Sequence, residues 1–391
     1  MLRKLSIKKM NKRLKSLVLL AFGVFGLNFA FAIYRSTYTN FLVEDLNITA
    51  MQIGTLESLR EVPGLLTAFI LGLMLHISQP LLAGSSLLIF SLGMIGVSTI
   101  NNWVQVVLWS VFWSIGFHCW MPLRSSITLS LSDPFREGER LGQMNSVASI
   151  AAIVAMASVA IFSSFLAMRY RLFFIIAGVI SLIGGLLVLR IPQTSKPLQI
   201  VRFVFKRRYG IYYMLNFLGG ALRQIFLTFS PFVLVKLYNL DVTMIATLMF
   251  ISGTLTFLLS PYLGKLVDRA GPRITLTISY VLMVTTFLGY AYIPIANVLC
   301  ILYIINAIVM ALSQISQTTY INGISSVTDL TPSLAMGQTM NHVAAVTLPL
   351  TGGILWDMFG HQVTFLIGVV VAVGSLLTSQ MIKPMKSEER H

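Results

Sequence analysis

Apolar runs of about 20 residues recur along this chain from Ser16 almost to its C-terminus, and each could cross a bilayer as a helix. The chain is 56% hydrophobic and 10% charged, with a mean hydropathy of +0.82, which excludes an ordinary soluble domain. We therefore predict an all-α membrane protein with twelve transmembrane helices joined by short loops. The helices are expected near residues 17–42, 51–75, 81–100, 103–129, 141–165, 170–190, 210–236, 243–264, 274–293, 296–322, 334–356 and 362–383.

The net charge of +15 comes mainly from one side of this predicted topology. Of the 28 Lys and Arg residues, 22 fall in the N-terminal tail, the central linker, the even-numbered loops and the C-terminal tail, counting Arg124, Arg190 and Lys383 at the inner ends of their spans. This positive-inside bias places both termini in the cytoplasm and favours contact with anionic lipid over nucleic-acid binding. The predicted segments are a basic tail (1–16), a first half (17–190), a basic linker (191–209), a second half (210–383) and a tail (384–391).

The two halves resemble each other at nearly one offset. Gly72 in the second span corresponds to Gly264 in the eighth, and the matching segments are 55–56 with 247–248, 46–49 with 240–243, 130–133 with 326–329 and 141–143 with 336–338. The repeat predicts two six-helix, pseudo-symmetric halves related by an axis along the membrane normal.

Residues 264–273 read Gly-Lys-Leu-Val-Asp-Arg-Ala-Gly-Pro-Arg and match the G-x-x-x-D-R-x-G-x-R loop of the major facilitator superfamily. With the repeat, the resemblance covers the whole chain. It implies alternating access around a midplane site, with the first, fourth, seventh and tenth helices lining a central cavity. It also implies a cytoplasmic gate formed by Asp268, Arg269, Arg273, Asp133 and Arg140.

The chain departs from the family pattern at two places. In the first-half equivalent of the gate loop, His76 replaces the Asp and the basic residues are missing. The fifth span lacks the G-P-x-x-G-G signature of drug–proton antiporters, although a related Pro349-Leu350-Thr351-Gly352-Gly353 stands in the eleventh. Both departures argue against multidrug efflux.

Charged side chains inside a bilayer are costly, so each needs a partner or a function. Arg35 on the first span shares a face with Asn28, and Arg223 on the seventh shares a face with Asn216. A guanidinium facing a cavity suits the carboxylate or phosphate of an anionic substrate. The alternative is that Arg223 binds a polar partner and only braces the bundle.

Glu57 and Glu61 share a face of the second span, and Arg60 lies three residues after Glu57. A carboxylate in such a site could exchange protons and couple transport to them. The alternative is a static network of the two glutamates with Arg35 and Arg60, and the two interpretations can coexist if the network opens during transport.

The fourth and tenth spans carry aromatic and polar stripes that would suit an organic ligand. The predicted substrate contacts on these spans are Trp113, His118, Asn306, Gln314 and Gln317. An aromatic stripe also serves helix packing or lipid contact. His118 and His342 are candidates for moving protons or for bracing their helices.

These observations predict a monomeric, multi-pass transporter in the cytoplasmic membrane of a prokaryote. The expected cargo is a small organic anion or zwitterion carried with protons. The alternatives are efflux of amphiphilic, drug-like compounds and a non-transporting receptor or accessory protein with the same fold. Without a phosphate-binding glycine loop, a metal-ligand cluster or a nucleophile–base set, the sequence predicts neither an enzyme nor a cofactor or metal site.

Overall fold

The computed structural model describes residues 2–74, 76–132, 137–166, 169–192 and 205–383. These residues form twelve α-helices and no strand, which confirms the predicted fold class. The helices are α1 (Leu2–Glu44), α2 (Ala50–Leu73), α3 (Gln79–Val97), α4 (Trp103–Leu131), α5 (Glu137–Leu166), α6 (Tyr170–Val188), α7 (Gly210–Lys236), α8 (Val242–Ala270), α9 (Pro272–Tyr292), α10 (Ala296–Ile324), α11 (Val327–Phe359) and α12 (His361–Gln380). A short 3-10 helix, Arg207–Tyr209, precedes α7.

Ten of these helices are long and apolar enough to cross a membrane, and the other two among the described residues are α2 and α11. The most apolar parts of all twelve lie where the hydrophobic runs predict. Several helices continue past the predicted ends, and α8, for example, runs on to Ala270. Hydropathy detects the apolar core of a span, whereas the backbone hydrogen bonds of a helix continue through polar residues beyond it.

The first compact unit contains residues 1–41 and 66–200. Small residues let its helices approach closely, as is usual in membrane bundles. At Gly116 of α4, a Cβ atom would lie 2.3 Å from the carbonyl oxygen of Ser86 on α3. At Gly26 of α1, it would lie 3.0 Å from the carbonyl oxygen of Ile180 on α6. The backbones of these pairs are therefore in contact.

The second compact unit contains residues 42–65 and 201–391. Here α7 packs against α10, α11 and α12, while α9 packs against α10 and α12. The first half of α2 belongs to this unit because it lies against α11: a Cβ at Gly54 would lie 2.1 Å from the carbonyl oxygen of Pro349. The predicted halves, 17–190 and 210–383, assign all of α2 to the first half. That division of the chain stays a prediction.

The repeat extends to the backbone geometry of the loops. Asn47 after α1 and Asn239 after α7 both have left-handed backbones, with φ of 48° and 54°. Each loop carries the same hydrogen bond, from Ile48 N to the carbonyl of Leu42 (3.1 Å) and from Leu240 N to that of Leu234 (3.0 Å). These equivalent positions are 192 residues apart, so the sequence match of 46–49 with 240–243 is shifted by two residues.

Candidate functional site

Three charged side chains of α2 form one buried ionic group in the second unit. Arg60 Nη2 donates hydrogen bonds to Glu57 Oε2 and to Glu61 Oε1, the latter at 3.3 Å. Glu57 and Arg60 are 7% and 5% exposed. The i, i+3 spacing on one helix turn brings Glu57 and Arg60 together, as the sequence predicts. A shared guanidinium lowers the cost of burying both carboxylates.

The ionic group continues onto α11. His342 Nδ1 lies 3.0 Å from Glu61 Oε2, and Gln338 Nε2 lies 3.2 Å from His342 Nε2. If the Gln338 amide donates to Nε2, the imidazole carries its proton on Nδ1 and donates it to Glu61. We call Glu57, Arg60, Glu61, His342 and Gln338 the charge chain.

The sequence places Glu57, Arg60 and Glu61 together but misses the contact between Glu61 and His342. Gln338 and His342 lie four residues apart on α11, so their own pairing follows from helical spacing. Nothing in the spacing shows that α11 is the helix against which this part of α2 packs. Arg35, predicted as a further member of the network, lies on α1 in the first unit and is half-buried.

The predicted substrate contacts on α7 and α10 differ in exposure. Arg223 and Gln314 are exposed, whereas Asn306 is buried. Asn216 Nδ2 donates to the carbonyl of Tyr212 at 2.9 Å. Gln317 is buried and donates to the hydroxyl of Tyr280 on α9 at 3.2 Å. Of these side chains in the second unit, Arg223 and Gln314 are the two that are exposed.

The two glycines before Arg223 serve helix packing. A Cβ at Gly219 would lie 3.1 Å from Gln317 Nε2, and one at Gly220 would lie 2.8 Å from the carbonyl oxygen of Asn341. These two glycines therefore allow α10 and α11 to approach α7 closely.

The predicted contacts on α1 and α4 lie in the first unit. Trp113 is fully buried, with its ring centroid 4.8 Å from that of Tyr34. His118 is 7% exposed and interacts with Ser114 one turn earlier. Asn28 Nδ2 donates to the carbonyl of Val24 at 2.7 Å. The surroundings of Trp113 favour the packing interpretation of its aromatic stripe, so Trp113 is not among the residues of the proposed site.

The gate loop joins α8 to α9 through a backbone that only glycine adopts easily. Asp268 and Arg269 are exposed in the last turn of α8, and Gly271 follows with φ of 81° and ψ of 159°. Arg273 Nη2 donates to Gln380 Oε1 on α12 at 3.3 Å. In the first unit, Arg140 Nη1 donates to Gln143 Oε1 at 2.9 Å. Asp133 lies outside the described residues, and the gate role of all five residues stays a prediction.

Gly271→Ala should destabilise the protein by about 1–3 kcal/mol, because a Cβ is strained at this φ and ψ. The matched control is Gly264→Ala in the same motif, where an added Cβ meets no described atom within 4 Å. Alanine at this interior helical position should stabilise by roughly 0.5–1 kcal/mol. The measurement is the midpoint of thermal denaturation in detergent, and equal shifts for the two variants would contradict the prediction.

A second ionic cluster, which the sequence does not reveal, joins the linker end to the start of α11. Asp329 accepts hydrogen bonds from Lys206 Nζ at 2.7 Å and from the Tyr209 hydroxyl at 2.9 Å, and Arg208 also contacts it. Asp329 precedes the apolar run of α11, outside the predicted span. The hydrogen bonds from Lys206 and then Tyr209 hold the pKa of the Asp329 carboxyl well below its usual range.

Asp329→Asn should lower the denaturation midpoint at neutral pH, because a neutral amide loses the charge interaction with Lys206 and Arg208. A lowered folded-state pKa contributes stability that is complete above the unfolded pKa of about 4 and is lost as pH falls through the folded value. The difference between wild type and variant should therefore be constant from pH 8 to about pH 5 and shrink below about pH 4. A difference that grows on acidification would contradict this assignment.

The long apolar helices of the two units, some with charged side chains buried in them, are those of a multi-pass membrane protein. The sequence matches the Major Facilitator Superfamily over residues 20–321 and again over 210–389. The chain therefore belongs to that superfamily of secondary transporters, as the gate loop and the repeat predict.

Individual proteins are also similar to this chain. An uncharacterized MFS-type transporter of Methanocaldococcus jannaschii is 30% identical over 110 residues, or 28% of this chain. That match spans only 27% of the relative's length.

The structure of the nucleoside transporter NupG aligns with a TM-score of 0.76 at 17% identity, covering 95% of this chain and 100% of that one. A bacterial homologue of the human lysosomal transporter Spinster, in an inward-facing and unoccupied conformation, aligns with a TM-score of 0.73 at 15% identity, covering 94% and 97%. At these identities the likeness shows a shared fold.

Proposed function

We propose that this transporter moves a small anionic or zwitterionic organic molecule across the cytoplasmic membrane together with protons, by alternating access. The observation that carries the proposal is the charge chain. The protein would act as a monomer with both of its termini in the cytoplasm, consistent with the distribution of its basic residues.

One additional proton would balance the formal charges of the charge chain. With a neutral imidazole, two carboxylates and one guanidinium give the five residues a net charge of −1. A proton on Glu61 or on His342 would bring this net charge to zero. The hydrogen bond between Glu61 and His342 offers that proton two adjacent positions. Glu57 is enclosed beside Arg60 and would remain the structural counter-charge.

Arg223 supports an anionic group on the substrate. Its side chain is exposed on α7, while many of the neighbouring residues of that helix are buried. A guanidinium binds a carboxylate or phosphate through two parallel hydrogen bonds. Asn216 and Gln314, in the same unit as Arg223, would add polar contacts. The structural similarity to a nucleoside transporter makes nucleosides a reasonable second group to test.

A thermal-shift screen of the purified protein tests the substrate class, with organic acids, amino acids, nucleosides and lipophilic cations as probes. A bound ligand raises the midpoint by mass action. We expect an anion to stabilise the wild type and Arg190→Ala, which removes an exposed arginine after the end of α6, but not Arg223→Ala. If only lipophilic cations act, or if Arg223→Ala responds like the wild type, the anion proposal is wrong and efflux is favoured.

A further inference from the structure

The first half of α2 and the second half of α11 form a continuous antiparallel contact. Residues along α2 meet residues of decreasing number on α11 in the pairs Met51 with Asp357, Gly54 with Gly353 and Pro349, Ser58 with Leu350, and Glu61 with His342. We call this contact the seam. The two backbones touch at Gly54 and Gly353. Since Glu61 and His342 lie on the same two helices, sliding α2 along α11 would move Glu61 relative to His342.

The beginning of α2 takes one of its capping acceptors from α11. Thr49 and Gln52 cap the helix locally, with Gln52 N donating to Thr49 Oγ1 at 3.2 Å and Thr49 N donating to Gln52 Oε1 at 3.0 Å. Met51 N instead donates to Asp357 Oδ2 at 3.1 Å. A carboxylate at a helix N-terminus satisfies a free N–H group and interacts favourably with the helix dipole.

A second contact holds the loop before α2. Lys236 Nζ, in the last turn of α7, donates to Asn47 Oδ1 at 2.6 Å. Asn47 has the left-handed backbone that ends α1, so this hydrogen bond fixes the loop at its turning point. We call Asn47, Met51, Lys236 and Asp357 the clasp. All four residues belong to the same compact unit as α11.

The middle of the seam is held by a backbone group of α11. Pro349 has no N–H group, and the N–H of the next residue, Leu350, donates to Ser58 Oγ at 3.0 Å. Ser58 lies between Glu57 and Arg60 of the charge chain, three residues before Glu61. The clasp and Ser58 therefore fix α2 at two points on the side of the seam that precedes Glu61.

We propose that Asp357 is a positioning residue for the Glu61–His342 pair, which it sets in place by fixing the start of α2 on α11. The carboxylate acts ten residues before Glu61 through the rigid helix between them. Lys236 assists through Asn47. The importance of this position for transport rests on the proposed function, but the positioning itself does not.

Hydrogen–deuterium exchange of the purified full chain tests the positioning directly. We expect Asp357→Ala to raise the exchange of amides in residues 50–58 by about tenfold, the scale of a lost helix cap. Asp357→Asn keeps an acceptor oxygen and should retain most of the protection. The matched control is Asp241→Ala, which removes the acid that caps α8 by accepting from Met244 N at 2.8 Å and should affect only the start of α8.

Transport readouts then separate the two proposals. In proteoliposomes, Asp357→Ala should shift the pH dependence of uptake of the ligand found in the thermal-shift screen. Asp357→Asn should keep the pH dependence of the wild type. Unchanged exchange over residues 50–58 in Asp357→Ala would overturn the positioning role. If exchange rises there while Glu61→Gln transports with an unaltered pH dependence, the positioning stands and the proposed coupling role of Glu61 fails.

Discussion

Arg60→Met should lower the free energy of unfolding by about 3–5 kcal/mol, the usual cost of removing one partner from a buried ionic group. Arg60 is 5% exposed and donates to both Glu57 and Glu61. Methionine fills a similar volume without the charge, so Glu57 loses its guanidinium donor while Glu61 keeps the imidazole of His342. The measurement is the midpoint of thermal denaturation in detergent, followed through a fluorescent thiol probe or by loss of the monodisperse fraction.

Two further variants separate the ionic effect from a loss of packing. The triple variant with Glu57→Gln, Arg60→Met and Glu61→Gln removes the whole ionic group and should recover most of the midpoint, since a neutral set of similar volume is often as stable as a buried ion set. Arg273→Met removes a partly exposed arginine that binds Gln380 and should cost only about 0–1 kcal/mol. A triple variant no more stable than Arg60→Met would show that Arg60 acts by packing.

The helical fold is predictable because the interior of a bilayer allows few other backbone structures. Each long apolar run must become a helix in the bilayer, since an unpaired backbone N–H or C=O group there is too costly. The gate loop is predictable in part: Gly271 shows its left-handed turn in the sequence because few other residues adopt it. At Gly264 of the same motif, by contrast, a Cβ would meet no described atom within 4 Å.

The site is less predictable because it depends on which helices meet. Glu57 and Arg60 are one turn apart, so helical spacing alone joins them. Glu61 and His342 are 281 residues apart, and their contact depends on the packing of Gly54 against α11. The packing interpretation of Trp113 likewise depends on which helices meet, because aromatic residues of α1 and α3 pack against this ring and enclose it.

The hydrogen bonds that join the linker end to the start of α11 are the least predictable from the sequence. Lys206, Arg208 and Asp329 look like ordinary solvated charges in the sequence, because their partners are more than 100 residues away. Asn47 and Asn239 carry a usable signal, since asparagine is among the few residues that adopt a left-handed backbone at a helix end. Aligning the repeat on those two asparagines gives the 192-residue offset seen in the structure.

Glu61→Gln should abolish substrate accumulation driven by a pH gradient while leaving substrate exchange intact. Glutamine has nearly the same size and keeps one acceptor oxygen for Arg60, while its NH2 group can donate to Nδ1 of the other His342 tautomer, so the seam should keep the same register. It cannot bind or release a proton in the working pH range, so the step that links substrate movement to the gradient is lost. The measurement is uptake into proteoliposomes with and without a gradient, beside counterflow at equal pH.

Glu57→Gln is the matched control, because Glu57 belongs to the same helix and binds the same arginine, whereas the imidazole of His342 lies against Glu61. It should lower stability and leave gradient-driven accumulation in place. His342→Gln should resemble Glu61→Gln if the proton is shared across their hydrogen bond, and should retain accumulation if Glu61 alone carries it. Gradient-driven accumulation by Glu61→Gln at the wild-type level would remove the charge chain from the coupling mechanism and leave it as a structural ionic group. The two outcomes differ because a static ion set needs only balanced charge, whereas coupling requires that the charge change during each cycle.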